Sequence, residues 1–511
     1  MIVRILAFYL PQFHRVPEND EWWGEGYTDW TAVRSAEPLF EGHKQPRVPL
    51  NGNYYNLLEH DTMAWQADLM NRYQIDGMCI YHYWFGRNKR ILEKPAENLL
   101  SWKDIQMPFC FCWANETWSK TWKKFMYTNV WTAKGTATTT IENNDILLKQ
   151  IYGRESDWEE HIQYLLKFFQ DERYIQLDGK PVLVILKTSH IFQLWEMLQY
   201  FDKRVMENGF PGIYVIGMEE DWQDGIHATC IRQPRSAMAE YRKQYNYKPQ
   251  GLQVYPYDEL CQIQMETKIK GRKTYLSCAV DHDSTPRMGQ IGIVIRDASP
   301  EKFYTCFKTL YQKSILLENE FLFINAWNEW GEGMYLEPDE KVGYEYLESI
   351  SRIVREYKDG MELNECKKIE MLYKIETEEY MRIQEQVKVL ERHDQLLDRW
   401  MQLRDKCIDF SSYFNAYGYK NIAVYGVGRL GIHLQQELNQ SNICVCFGID
   451  KCGQNCSDTM KVYTPFEPLP EVDAVVITIL GKYKEISELL KVHMNCPMVT
   501  LEEIIQELLF E

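Results

Sequence analysis

The sequence predicts an α/β protein in three parts. These are a (β/α)8 TIM-type barrel over residues 1–350, a helical linker over 351–417 and a small Rossmann-like α/β domain over 418–511. Three observations predict it. Short apolar runs alternate with longer helical or irregular stretches up to about residue 350. Most of those runs end in a cluster of polar and aromatic residues. A Gly-x-Gly-x-x-Gly turn follows another apolar run near the C-terminus.

In chain order, apolar runs at 3–9, 77–83, 109–113, 182–186, 214–217, 275–280 and 322–325 read as strands, with a weaker eighth at 252–255. Helical periodicity fits 62–73, 158–169, 191–208 and 300–318. Alternating strand and helix implies a parallel sheet, open or closed. The strand ends favour closure: Pro11-Gln-Phe-His14, Tyr81-His-Tyr-Trp-Phe85, Trp113-Ala-Asn-Glu-Thr-Trp118, Asp281-His-Asp-Ser-Thr-Pro-Arg287 and Trp327-Asn-Glu-Trp330. A barrel enzyme carries its chemistry at the C-terminal ends of several strands.

Residues 376–410 hold no Gly or Pro, and Ile383, Val387, Leu390, Leu397 and Met401 recur at helical spacing. Two readings stand: a connecting helix packed on the barrel, or a coiled-coil seam for a homodimer. Beyond it, Ile422-Ala-Val-Tyr-Gly-Val-Gly-Arg-Leu-Gly431 reads as strand, glycine turn and helix start, with a second strand ending at Asp450 and a third at 474–479. Gly426, Gly428 and Gly431 would let a pyrophosphate approach the helix start, and Asp450 could meet a ribose hydroxyl. A nucleotide or nucleotide sugar is the candidate ligand; a module without ligand, or one that binds a partner, is the alternative.

Composition narrows the partners. The net charge of −17 argues against nucleic acid and against docking on an anionic membrane. The aromatic share of 14% suits stacking against sugar faces, or a large aromatic core. The apolar start is short and broken by Arg4, so it reads as a strand and not a signal peptide. No run reaches the roughly 18 apolar residues of a membrane span. The 14 Cys are scattered, several within apolar strands (Cys79, Cys110, Cys112, Cys278, Cys444, Cys446), which implies a reducing cytoplasm. Cys452 and Cys456 lack further ligands nearby, so no metal site is expected.

The richest segment is Phe323-Ile-Asn-Ala-Trp-Asn-Glu-Trp-Gly-Glu-Gly-Met-Tyr-Leu-Glu-Pro338. A buried strand empties into Glu329 and Glu332, flanked by Trp327, Trp330 and Tyr335. Glycosidic-bond chemistry needs one group to protonate the leaving oxygen and another to act at the anomeric centre. On a turn the two acids would lie roughly 5–6 Å apart, and on an extended strand about 10 Å apart. The shorter gap suits retention and the longer inversion. Gly331 and Gly333 favour the turn.

Residues 1–345 resemble the glycoside hydrolase family 99-like (WbsX-like) domain of bacterial polysaccharide-biosynthesis proteins. The matching motifs are Phe8-Tyr-Leu-Pro-Gln-Phe-His14, Trp22-Trp-Gly-Glu-Gly-Tyr-Thr-Asp-Trp30, Pro38-Leu-Phe-Glu-Gly-His-Lys-Gln-Pro46, Gly77-Met-Cys-Ile-Tyr-His-Tyr-Trp-Phe85, Phe111-Cys-Trp-Ala-Asn-Glu-Thr-Trp118, Asp283-Ser-Thr-Pro-Arg287 and Asn328-Glu-Trp-Gly-Glu-Gly333. The resemblance implies a (β/α)8 barrel and an endo-α-mannosidase-like reaction with retention, needing no cofactor. The substrate's own 2-hydroxyl would be the nucleophile, giving a 1,2-anhydro sugar. Glu329 would assist that hydroxyl, and Glu332 would be the general acid/base. WbsX-like proteins sit in surface-polysaccharide pathways and are often labelled glycosyltransferases. The resemblance therefore also admits transfer to lipopolysaccharide, O-antigen or capsule precursors, or a non-catalytic glycan-binding subunit.

Around the acids, Asn328 and Trp330 belong to the same motif. Glu25, Tyr27 and Asp29 on the first loop are placed to line the cleft. Of His82, Tyr83 and Trp84, strand alternation turns some inward and some into the core. Trp113, Asn115, Glu116 and Trp118 end the third strand. Glu116 binds a sugar hydroxyl or tunes a catalytic Glu by like-charge repulsion, or else it is an ion-pair partner of Lys120 or Arg87. Asp281, Asp283 and Arg287 form a second polar cluster. There Arg287 holds a substrate anion or pairs with its neighbours.

Overall fold

The computed structural model describes residues 3–119, 146–218, 222–267, 269, 272–358, 378–453 and 460–510. The chain divides into two units, Met1–Ile375 and Glu376–Glu511.

The first unit is a closed parallel barrel. Its strands are β1 (Arg4–Tyr9), β2 (Gly77–Trp84), β3 (Phe109–Trp113), β4 (Lys180–Ile185), β5 (Tyr214–Gly217), β6 (Ala228–Cys230), β7 (Thr274–Ala279) and β8 (Phe321–Asn325). Each pairs with the next, and β8 returns to β1. The period of two decides which side chains fill the barrel. From β1, β2 and β8, Phe8 stacks on Tyr81 at 5.8 Å and on Phe323 at 5.3 Å inside it. From β3, Phe111 points outward and meets Phe168 of helix α1 (Glu155–Phe169) at 4.8 Å. That helix buries Trp158, His161, Ile162, Leu165, Leu166, Phe168 and Phe169 on one stripe.

The weak eighth strand at 252–255 does not belong to the barrel. Gln253–Pro256 pairs with Ile293–Arg296 as a separate two-stranded parallel ribbon. The barrel strand is Ala228–Cys230. It is three residues long, contains Thr229 and lies between His227 and Arg232 with only Ile231 added, so the apolar run is too short to announce it.

The second unit is a five-stranded parallel sheet built from Asn421–Tyr425, Cys444–Ile449, Val462–Tyr463, Ala474–Ile477 and Met498–Thr500. In the sheet the chain-order strands run third, second, first, fourth, fifth. The order reverses beside Asn421–Tyr425, where a doubly wound sheet opens its crevice. Helix Glu378–Asp405 belongs to this unit, and its C-terminal half packs on it. Leu396, Trp400 and Leu403 are buried against Ile504, Ile505 and Leu508, and Arg392 pairs with Glu502 at 2.8 Å. The expected stripe is displaced: Met401 is exposed, Leu397 is partly buried, and the side chains of Ile383, Val387 and Leu390 lie outside the described residues. Cys444 and Cys446 are also exposed, because their strand leaves one face uncovered at its start. Cys456 lies outside the described residues. Among the described residues, no helix is long and apolar enough to cross a membrane.

Candidate active site

The two acids sit on a small hairpin at the C-terminal end of β8. Asn328–Glu329 pairs antiparallel with Met334–Tyr335, and a 3-10 turn, Trp330–Glu332, joins them. Gly333 closes the turn at φ 64°, in the left-handed region where a side chain is strained. A Cβ there would also meet the Asp283 amide at 2.8 Å.

A layer of buried polar groups supports the hairpin. Glu337 accepts hydrogen bonds from Tyr55 Oη (2.7 Å), Gln66 Nε2 (2.7 Å), Trp327 Nε1 (2.9 Å) and Trp330 Nε1 (2.7 Å). Burial pushes its carboxyl up to about 7, while those donors pull it down. Asn328 imitates a strand residue: its Oδ1 accepts from the Leu10 amide at 2.7 Å, and its Nδ2 donates to the Leu10 carbonyl at 3.0 Å. Asp283 pins the other arm, its amide donating to the Glu332 carbonyl at 2.6 Å. The Asp283 carboxylate accepts from Gln45 Nε2 (2.7 Å) and Thr285 Oγ1 (2.6 Å). His43 Nδ1 accepts from the Leu39 amide, so its Nε2 carries the proton that reaches Asp283 at 2.8 Å.

Arg287 spans the acids. It donates to Glu332 Oε1 from Nη1 at 2.8 Å, and its Nη2 lies 3.8 Å from Glu329 Oε2. Asp29 holds the other edge of the guanidinium at 2.9 and 3.0 Å and accepts from the Gly331 amide at 3.1 Å. Glu329 is buried, while the Glu332 side chain stays 25% exposed. Burial, reinforced by the charge of Glu332, pushes Glu329 up to about 8 against the pull of Arg287. Burial also acts upward on Glu332, but Arg287, His282, Arg232 and Arg235 outweigh it and leave Glu332 below the usual range. Near neutral pH the pair therefore holds one proton, carried by Glu329.

Of the residues expected around the acids, Tyr83 faces them: burial raises its phenol, and Glu329 raises it further. Trp118 is partly buried, with its ring 5.1 Å from that of Tyr83. Tyr27 lies beside Asp29, its phenol pushed up to about 12 by burial and by that charge. Glu116 is near enough to Arg235 to act on it; Lys120 lies outside the described residues.

Other expected residues serve the scaffold instead. His82 and Trp84 are the outward positions of β2: His82 Nε2 lies 3.0 Å from His161 Nε2, and Trp84 stacks on His161 at 4.7 Å. Trp113 is buried beside them and donates to the Trp84 carbonyl at 2.9 Å. Asn115 staples the β4 loop through the Lys187 amide and carbonyl, both at 2.8 Å. Trp330 is buried against Tyr335, 3.7 Å between rings, and Asn328 is fully buried. Asp281 is committed to Arg47 at 2.9 Å. Glu25 is exposed and pairs with Arg15 at 3.0 Å.

Sequence reasoning missed Tyr81, Arg232, Arg235 and Glu337. Tyr81 is an inward position of β2 whose phenol is raised by burial and then by the charge of Glu329, and strand alternation alone would have paired it with Tyr83. Arg232 and Arg235 follow the unread strand β6. Glu337 carried no signal beyond ending the motif. A separate open cavity of about 550 Å³ is lined by residues including His14, Trp30, Arg34, Tyr54 and Tyr55; neither acid lines it.

In the second unit, Gly426 has φ 92° and lies against Thr478, whose Oγ1 donates to the Gly426 carbonyl at 2.7 Å. Gly428 faces open space. Asp450 accepts from the amides of Val427 and Cys452, each at 3.1 Å, so one carboxylate oxygen already serves the glycine loop.

Comparison with known proteins adds the lineage. A curated Xanthomonas campestris pv. campestris (strain B100) protein, named uncharacterized protein WxcX, is 31% identical over 358 residues, 68% of this chain and 48% of its own length. The chain thus spans about half the length of the curated relatives it matches. Two solved structures are similar at a distance. One is a GH99 endo-alpha-mannosidase from Bacteroides thetaiotaomicron, at 14% identity and TM-score 0.42 over 70% of this chain and 98% of that one. The other is a glycoside hydrolase-like protein, at 14% identity and TM-score 0.43 over 69% of this chain and 94% of that one. The family described as Glycosyltransferase WbsX matches residues 5–350, and the chain belongs to that family.

Proposed function

We propose that this chain is a carbohydrate-active enzyme, and that Glu329 and Glu332 act on an α-linked sugar of a surface polysaccharide or its precursor with retention. The observation that carries the reading is the carboxylate pair bridged by Arg287 at the barrel mouth, with burial raising Glu329 while the surrounding arginines hold Glu332 down. A pair that shares one proton supplies an acid and a base at once. Bridging by a single guanidinium favours the closer of the two spacings, and so retention.

The roles implied by the resemblance need Glu332 to protonate the leaving oxygen and Glu329 to take the 2-hydroxyl proton. The unliganded pair has the opposite charge state, so the proton must pass between the acids when substrate enters. Tyr83, Trp118 and Tyr27 are the residues we propose line the sugar. A glycosyl fluoride needs no acid to leave. Glu332→Gln should therefore retain turnover of the fluoride while losing unactivated α-oligosaccharides, and Glu329→Gln should lose both. The reverse pattern would exchange the roles. Full activity in both variants would remove the site.

Transfer from an activated sugar is the second reading, favoured by the description of the family itself. Product that forms only with a nucleotide-sugar donor would establish it over hydrolysis. Nucleotide binding by the second unit is a separate proposal, resting on the glycine loop and the open space at Gly428. Titration calorimetry with NAD and nucleotide sugars tests it.

A further inference from the structure

The open cavity of about 550 Å³ has no part in the chemistry proposed for the acids. Its volume falls within the roughly 300–1,000 Å³ of small-molecule sites. Residues 13–15, just after β1, line it together with helix Asp29–Arg34 and residues 54–56. Neither acid lines it, yet the cavity and the acids share that helix. Asp29 holds Arg287 and the Gly331 amide. Trp30, the next residue, lines the cavity and packs 5.5 Å from the Trp330 ring.

The walls join buried aromatic rings to an exposed polar rim. The Trp30 ring meets Phe13 at 4.5 Å and Tyr54 and Tyr55 at 5.1 Å each. The polar tips of two of these rings are committed elsewhere: Trp30 Nε1 donates to the Tyr55 carbonyl at 2.8 Å, and Tyr55 Oη to Glu337 at 2.7 Å. Those rings therefore offer carbon surface. On the rim, Ser35 and Asn56 are exposed, and Arg34 lies 3.9 Å above the Tyr54 ring with no ion pair among the described residues. His14 decides the chemistry. It lines the cavity, its side chain is buried, and neither ring nitrogen has a hydrogen-bond partner among the described residues. Burial pushes its imidazole down to about 4 against a smaller upward pull from the Pro11 carbonyl, which can serve one nitrogen at most. Near neutral pH the ring thus carries one donor and one acceptor. A sugar hydroxyl both donates and accepts, so it can satisfy either. A carboxylate or phosphate only accepts, and would favour a charged imidazole that burial opposes. An apolar ligand would leave both nitrogens unmet.

We propose that this cavity is a second saccharide site, which takes one neutral sugar unit with its C–H face against the aromatic wall and a hydroxyl on His14. The inference rests on the carbohydrate-active reading above and adds a glycan contact separate from the acids. Binding needs neither acid, so it can be tested apart from turnover.

The test is an NMR titration of the full chain, read at the imidazole signal of His14, which is assigned by its loss in His14→Phe. The probes are the methyl α-glycosides of glucose, galactose, mannose and rhamnose, with methyl glucuronide as the anionic probe. At least one neutral glycoside should shift the signal to saturation. Ser35 is exposed and its hydroxyl bonds only to carbonyls of its own helix turn, so Ser35→Trp should fold while crowding the cavity. It should weaken binding at least tenfold. His14→Phe keeps a flat ring and removes two unmet nitrogens, so its denaturant midpoint should hold or rise; a structural role for His14 would lower it. No shift with any of the four, a shift with the glucuronide alone, full binding in Ser35→Trp, or a lower midpoint in His14→Phe would each overturn the saccharide site. Glu329→Gln and Glu332→Gln should abolish turnover and keep the His14 shift. Full turnover in both would remove the catalytic reading and leave the cavity result standing, whereas loss of the shift in both would assign the binding to the acids and overturn the second site.

Discussion

Arg287 and Asp29, 258 positions apart in the chain, meet edge to edge through hydrogen bonds of 2.9 and 3.0 Å. Asp29 thereby aims the remaining nitrogens of the guanidinium at Glu332 and Glu329. Its charge also raises Glu329. Asp29→Asn keeps the shape and removes the charge. Glu329 should then lose its proton at lower pH, and the alkaline limb of the pH–rate profile should move down. Looser aim of the guanidinium should lower kcat by on the order of tenfold. An unshifted limb would show that Asp29 only fills space.

The proton on Glu329 makes a prediction about stability. Its pKa is about 8 in the fold against 4.5 unperturbed. Between those values the folded chain binds more protons than the unfolded one, so stability falls as pH rises through the window. Glu329→Gln removes this dependence. The variant should gain on the native protein by roughly 2–4 kcal/mol from pH 5 to pH 9, read from urea midpoints at each pH. Parallel curves for the two proteins would place the proton elsewhere.

The barrel was legible because seven of its strands are apolar runs, five of which end in chemically rich clusters. The eighth was hidden because Ala228–Cys230 is too short for a pattern, while Leu252 to Tyr255 has one and serves a ribbon outside the barrel. The acids were legible because Glu329 and Glu332 follow a buried strand directly. Their surroundings were less so. Aromatic type marks both a sugar platform and a core, and only the face of the strand separates inward Tyr83 from outward Trp84, which stacks on His161. Arg232 and Glu337 act through long-range contacts, which local sequence does not encode.

Glu337 should matter more to stability than any other carboxylate of the hairpin. Four buried donors converge on it, two of them indoles that cannot turn to other acceptors. Glu337→Gln replaces one acceptor oxygen by an amide that itself donates, so at least one donor meets another. The expected loss is about 2–4 kcal/mol, visible in denaturant midpoint. Altered tryptophan emission should accompany it, because Trp327 and Trp330 lose their partner. An unchanged midpoint would mean that the donors find other partners after relaxation.

Gly331 gives the sharpest test of the bridging arginine. Its φ is one that any residue adopts, so an added methyl group strains no backbone. The space is taken: a Cβ would lie 2.6 Å from Arg287 Nε and 2.6 Å from Asp29 Oδ2. Gly331→Ala must therefore push the Arg287–Asp29 pair aside, at about 1–3 kcal/mol for the overpacking. Arg287 is the strongest influence holding Glu332 ionised against its burial, so the acidic limb of the pH–rate profile should move to higher pH while the fold persists. Arg287→Lys should move that limb in the same direction, since an ammonium cannot grip Asp29 at two points and reach both acids. If Gly331→Ala changes stability and leaves the limb in place, the guanidinium has been held by something other than Asp29.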